Sequence, residues 1–85
     1  MNNRIFIDEA VEDELKEATE YYEKLQKGLG VRLYDDFDET LDYLRKVPLG
    51  FQIKFENFRC IHLARFPYII VYKVDDTTII VYRLI

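Results

Sequence analysis

Eighty-five residues and 10.3 kDa hold one domain with a single core, because a chain this short buries only about 60 to 65% of its unfolded surface. With 49% hydrophobic and 33% charged residues, the composition excludes a disordered tract as well as a multi-domain enzyme. A net charge of -4 and a pI near 4.9 count against a protein that coats nucleic acid, since phosphate binding is driven by Lys and Arg displacing counterions.

The charge is unevenly spread: residues 1–47 carry seven basic and thirteen acidic side chains, net -6, whereas residues 48–85 carry five basic and three acidic, net +2. One cysteine, Cys60, forms no internal disulfide, and one histidine, His62, leaves no zinc set. Neither metal nor cofactor is expected. The Met1-Asn2-Asn3-Arg4 start lacks a signal-peptide core, and no run reaches the roughly 20 apolar residues that span a bilayer. The expectation is a cytoplasmic protein that does not engage a membrane.

Arg4-Ile5-Phe6-Ile7 reads as a short strand, and Asp8 with Glu9 behind it is a helix start. Val11, Leu15, Ala18, Tyr22 and Leu25 then form one helical stripe, which predicts a first helix over Glu9 to Lys27. Gly28 supplies a left-handed closure and Gly30 a second bend. Leu33, Phe37, Leu41 and Leu44 mark a second helix that Pro48 ends. So short a connection makes the two helices antiparallel.

Beyond Gly50 the period changes to that of strands. Phe51 to Phe55 and Phe58 to Ala64 flank Glu56-Asn57, a hairpin turn in which Asn is suited to positive φ. Arg65-Phe66-Pro67 interrupts the ladder, Tyr68 to Val74 follows, and Asp75-Asp76-Thr77 turns into Thr78 to Ile85. The result is an α+β domain over residues 1–85 in the order β-α-α-β-β-β-β, a helical hairpin on a mainly antiparallel sheet. Ile69–Tyr72 and Ile79–Tyr82 belong inside the sheet, because an edge that apolar would aggregate.

Chemistry-bearing residues are few. Cys60 and His62, two apart in a strand, share a face at roughly 6 to 7 Å, beyond a direct hydrogen bond; His62 alone is a residue type able to act as acid or base. Gly28 and Gly30 lie between helices and form no phosphate loop. Asp35-Asp36-Phe37-Asp38-Glu39 reads as a solvated helix face. What remains is Lys54, Arg59, Arg65, Lys73 and Arg83 among Phe58, Phe66, Tyr68, Tyr72 and Tyr82, a set suited to gripping RNA or anchoring a protein. Strand alternation places Arg59, Ile61, Leu63 and Arg65 on one face, so a twist or bulge must reconcile the arginines with a core.

In order, the run Ala10 to Glu23 with Tyr21-Tyr22, then Gly28-Leu29-Gly30, Phe37, Leu41 and Pro48, then Phe58-Arg59, Arg65-Phe66-Pro67-Tyr68 through Tyr72, and Ile79 to Arg83, resembles the RelE/ParE toxin superfamily of bacterial type II toxin-antitoxin systems. The resemblance covers almost the whole chain and implies a growth inhibitor held inactive by a cognate antitoxin. ParE-like members of that superfamily poison DNA gyrase; RelE-like members cleave mRNA in the ribosomal A site. Within the basic and aromatic set, target or partner contacts are expected at Arg59, Arg65, Phe66, Tyr68, Tyr72, Tyr82 and Arg83. If the chain is a RelE-like ribonuclease, the candidates for its chemistry are Arg83, Arg59, Lys54 and Arg65 as phosphate clamps by position, and His62 as acid or base. RelE-like members carry a His, Tyr or Arg in or past the last strand, where this sequence stops at Ile85. That feature, the low pI and Tyr21-Tyr22 with Arg-Phe-Pro-Tyr favour the ParE-like alternative. A third alternative is a decayed member that binds antitoxin without toxicity.

Overall fold

The computed structural model describes residues 3–85; the Met1-Asn2 part of the start, read above for its lack of a leader, lies outside them. The elements are β1 (Arg4–Ile7), α1 (Glu9–Leu25), α2 (Leu29–Lys46), β2 (Ile53–Phe55), β3 (Phe58–His62), β4 (Ile69–Asp75) and β5 (Thr78–Leu84). This is the expected order.

The Asp8 carboxylate caps α1 by accepting from the Ala10 N–H at 2.9 Å. α1 stops at Leu25, two residues short of expectation, because Gln26 swings to an extended conformation (φ -160°) and Gly28 takes the left-handed turn at φ 94°. Glu23 from the last turns of α1 then reaches across the corner. Its carboxylate accepts from the N–H groups of Gly28 and Gly30, at 3.0 Å each, supplying the negative charge that the first turn of α2 lacks. At Gly30 the helices almost touch: a Cβ there would lie 2.7 Å from the Thr19 carbonyl oxygen.

The five strands run β1-β5-β4-β3-β2, antiparallel except for β1, which pairs parallel with β5 from Arg4↔Thr78 to Ile7↔Val81. β4 is central and β5 internal, as their apolar sequences demanded. Both helices lie on one face. Val11, Leu33, Phe37, Leu41 and Leu44 meet Ile61, Leu63, Ile70, Tyr72, Ile79, Val81 and Leu84 in one core.

The strand ends differ from expectation for local reasons. β2 begins at Ile53 because the Phe51 carbonyl accepts from the Arg59 guanidinium instead of joining the ladder. β3 ends at His62, and the Ala64 N–H is taken by Asp36. The tight Phe66–Tyr68 turn, closed by Tyr68 N–H to Phe66 C=O at 2.8 Å around Pro67, delays β4 to Ile69. In the first hairpin the positive φ falls on Glu56 (49°) rather than Asn57. Register shifts between Ile53 and Phe55, and between Val71 and Tyr72, are the irregularities that the arginine pattern required. No helix among the described residues is long and apolar enough to cross a membrane.

Candidate interaction surfaces

The residues singled out in the sequence do not converge on one site; the fold distributes them over three places. The first is the open face of the sheet. Phe58, Lys73 and Tyr82 meet there, with the Lys73 ammonium 4.2 Å from the Phe58 ring centroid and 5.8 Å from that of Tyr82. Phe58 also packs edge-on to Tyr82 at 5.4 Å and against Phe55 at 5.0 Å. On β1, Arg4 stands 5.8 Å above the ring of Phe6. Phe6, Phe55 and Arg4 escaped the sequence reading. A Phe in a strand looks the same whichever face it takes, and only the register shows the outward one.

The second place is the seam between α1 and the loop after β3. Tyr22 packs edge-on against Phe66 at 5.0 Å and Tyr68 at 6.3 Å, with Tyr21 at 5.3 Å on its other side. Burial, then the neighbouring Tyr22 and Tyr21 hydroxyls and Glu17, push the Tyr68 hydroxyl pKa up. Asp36 fixes this loop. Its buried carboxylate accepts from the backbone N–H groups of Ala64, Arg65 and Phe66 at 3.1, 2.8 and 3.2 Å. Read from sequence as one of four solvated acids, Asp36 is instead the residue that shapes the Arg-Phe-Pro-Tyr turn. Its place one turn before Thr40 and beside Phe37 on the apolar stripe was the available signal.

The third place is the interior. Tyr72, expected among the contact residues, is fully buried; it is a core residue, and its hydroxyl donates to the Pro48 carbonyl at 3.1 Å. Burial drives its pKa to about 12, with the Arg59 charge opposing. Arg59, opposite Tyr72 in the register, lies on the helix side.

Each arginine of the set has a local partner. Arg83 donates through Nε to Glu14 of α1 at 2.7 Å and pairs through Nη2 at 2.6 Å. This bonding, and the charge of Glu14, raise its pKa further. The other Glu14 oxygen accepts from the Leu84 N–H at 2.8 Å, sealing the β5 edge past the end of β1. Arg65 meets Glu39 at 3.4 Å with both side chains 67% exposed, a loose pair of small energetic value. Lys54 is exposed on β2. His62 and Cys60 line an open cleft of about 450 Å3 with Glu39, Thr40, Tyr43 and Phe51. The strand spacing keeps them apart, and the Asp36 carboxylate at its floor is committed to the loop.

On the helical side, Ile7, Val11, Leu15, Tyr34 and Phe37 line a groove of about 380 Å3 rimmed by Glu12 and Lys16. Past Thr19 and Tyr34 it continues to Val31, Glu20 and Glu23.

The comparisons with known proteins agree with this architecture. The family model described as "ParE toxin of type II toxin-antitoxin system, parDE" matches residues 5–85. Toxin ParE2 from two strains of Mycobacterium tuberculosis, CDC 1551 / Oshkosh and ATCC 25618 / H37Rv, is 32% identical over 80 residues, covering 93% of this chain and 76% of theirs. A solved structure titled "Chromosomal ParDE TA system from P. aeruginosa" superposes with a TM-score of 0.84 at 16% identity, over 96% of this chain and 92% of that one, and shares its fold. A helical hairpin over one face of a five-stranded sheet is thus the toxin fold of this class. The chain belongs to the ParE toxin family of type II toxin-antitoxin systems.

Proposed function

We propose that the chain is a growth inhibitor that acts on DNA gyrase, without cutting nucleic acid itself, and that a cognate antitoxin neutralises it. The observation that carries the first part is the dispersal of the cations. Cleavage at a ribose 2′-OH needs a base and clustered positive charge around one phosphate. Here Arg83 is held by Glu14, Arg59 by the Phe51 carbonyl, and Arg65 stands beside Glu39. His62 shares its cleft with none of the three. That arrangement suits a protein-binding toxin better than a ribonuclease.

The antitoxin has a natural seat in the groove along the helical hairpin. Apolar Ile7, Leu15 and Tyr34 would anchor a helix or extended segment. The surrounding Glu12, Glu20 and Glu23 favour a basic one, whose affinity falls as salt rises.

The test is a supercoiling reaction with purified gyrase, run beside mapping of transcript ends on ribosomes in cells expressing the chain. Gyrase-linked DNA breaks without mRNA cuts are expected, and the adjacent-gene product should abolish them. Codon-phased mRNA cuts that disappear in Arg83→Ala would replace this reading with the RelE-like one. Antitoxin binding without either activity would identify a decayed module.

A further inference from the structure

The open face of the sheet combines two features found together nowhere else among the described residues. One is a row of rings, Phe6 and Phe55 (55% and 54% exposed) around Phe58 and Tyr82. The other is positive charge seated on those rings, Lys73 on Phe58 and Tyr82, and Arg4 on Phe6. The carboxylates near this face stand at the hairpin tips, Glu56 in one and Asp75 and Asp76 in the other. A chain whose first 47 residues carry a net charge of -6 therefore holds two of its cations, Lys73 and Arg4, on rings of the sheet face turned away from its acidic helices.

We propose that this face docks an acidic protein segment that carries apolar side chains. Its carboxylates pair with Lys73 and Arg4, and its apolar groups lie on Phe55, Phe58 and Phe6. Aromatic rings beside cations are the groups that anchor protein interfaces most strongly, and the ring contacts already hold the Lys73 ammonium in place, so little ordering is lost on binding. Nucleic acid fits less well: each bound phosphate needs a cation, Lys73 and Arg4 are the two seated on the rings, Arg59 is engaged by the Phe51 carbonyl, and the nearby Arg83 is neutralised by Glu14. A second copy fits less well too, because its acidic helices would meet this face head to tail, a contact that does not close. The inference does not depend on gyrase being the target, nor on the groove across the core.

The experiment uses the full chain and a short fluorescein-labelled peptide that alternates glutamate with leucine and phenylalanine. Its controls are the same peptide with lysine for glutamate, and a labelled oligothymidylate. Fluorescence anisotropy should show saturable binding of the acidic peptide alone, weakening with salt. Lys73→Glu should weaken it about tenfold, and Arg4→Glu and Phe55→Ser should weaken it as well. Tyr34→Ser on the helical side should leave it unchanged. Lys73→Met, which keeps the stem on the rings, should still weaken binding while circular dichroism confirms the fold. The proposal is overturned by binding that is indifferent to the Lys73 and Phe55 changes, by tighter binding of the oligothymidylate, or by self-association that Lys73→Glu abolishes.

Discussion

Asp36 and Asp35 are adjacent in the chain and chemically identical, yet one is buried and the other exposed. Replacing Asp35 by alanine should change stability by no more than about 0.5 kcal/mol. Asp36→Ala strands three backbone N–H groups, and a buried donor without a partner costs on the order of 1 to 3 kcal/mol. Part of that returns as water enters the loosened loop, so a net loss of roughly 3 kcal/mol is expected, read as a lower urea midpoint. The same variant should loosen the Tyr22–Phe66 contact, visible as a changed near-ultraviolet dichroism signal.

Tyr72 gives a pH prediction of defined sign. Its pKa is about 12 in the fold against about 10 in an unfolded chain. Between those values the unfolded state has lost the proton that the native state keeps, so stability falls as pH rises through this window and is intact below it. Tyr72→Phe loses the bond to the Pro48 carbonyl and should be somewhat less stable at neutral pH. Its denaturation midpoint should then decline less steeply than that of the parent above about pH 10. Equal slopes would remove Tyr72 as the source.

At the scale of elements, the helical hairpin depends on its closest approach. Gly30→Ala gains up to about 1 kcal/mol of helix propensity but drives a Cβ to within 2.7 Å of the Thr19 carbonyl oxygen, a rigid neighbour. Overpacking of that kind costs about 1 to 3 kcal/mol, so the clash outweighs the propensity and the variant should melt at lower temperature. Glu23 works at the same corner, and Glu14 does the equivalent for the sheet by sealing the β5 edge that β1 leaves bare. Glu14→Ala should speed hydrogen exchange at the Leu84 amide with little change at Ile79, a local effect that amide exchange resolves.

For the whole molecule, the decisive contact joins the two ends of the chain. β1 pairs with β5 across 74 positions, Arg4 with Thr78, and Arg4 N–H to Thr77 C=O and Asp8 N–H to Val81 C=O fasten it at both ends. Removing residues 1–7 would bare the apolar β5 as an edge and withdraw Ile5, which packs on the core. Such an edge promotes aggregation. The truncated chain should lose its cooperative thermal transition and elute as large species in size-exclusion chromatography.

By itself the sequence determined the helices, the hairpins, the element order and the family, because these rest on periodicity, turn residues and caps that act within a few positions of one another. Val11, Leu15, Ala18 and Tyr22 announce their helix whatever else the chain does, and Gly28 announces its turn. Only the tertiary structure decided which like residues had unlike fates: Asp36 as a loop staple and Asp35 in water, Tyr72 in the core and Tyr82 on the open face, Arg83 held by a carboxylate from 69 positions earlier. Burial, pairing and exposure are relations between distant segments, set when the sheet acquires its register and the helices choose a face. Alternation along one strand shows that two residues share a side; what lies on that side is supplied by the rest of the chain.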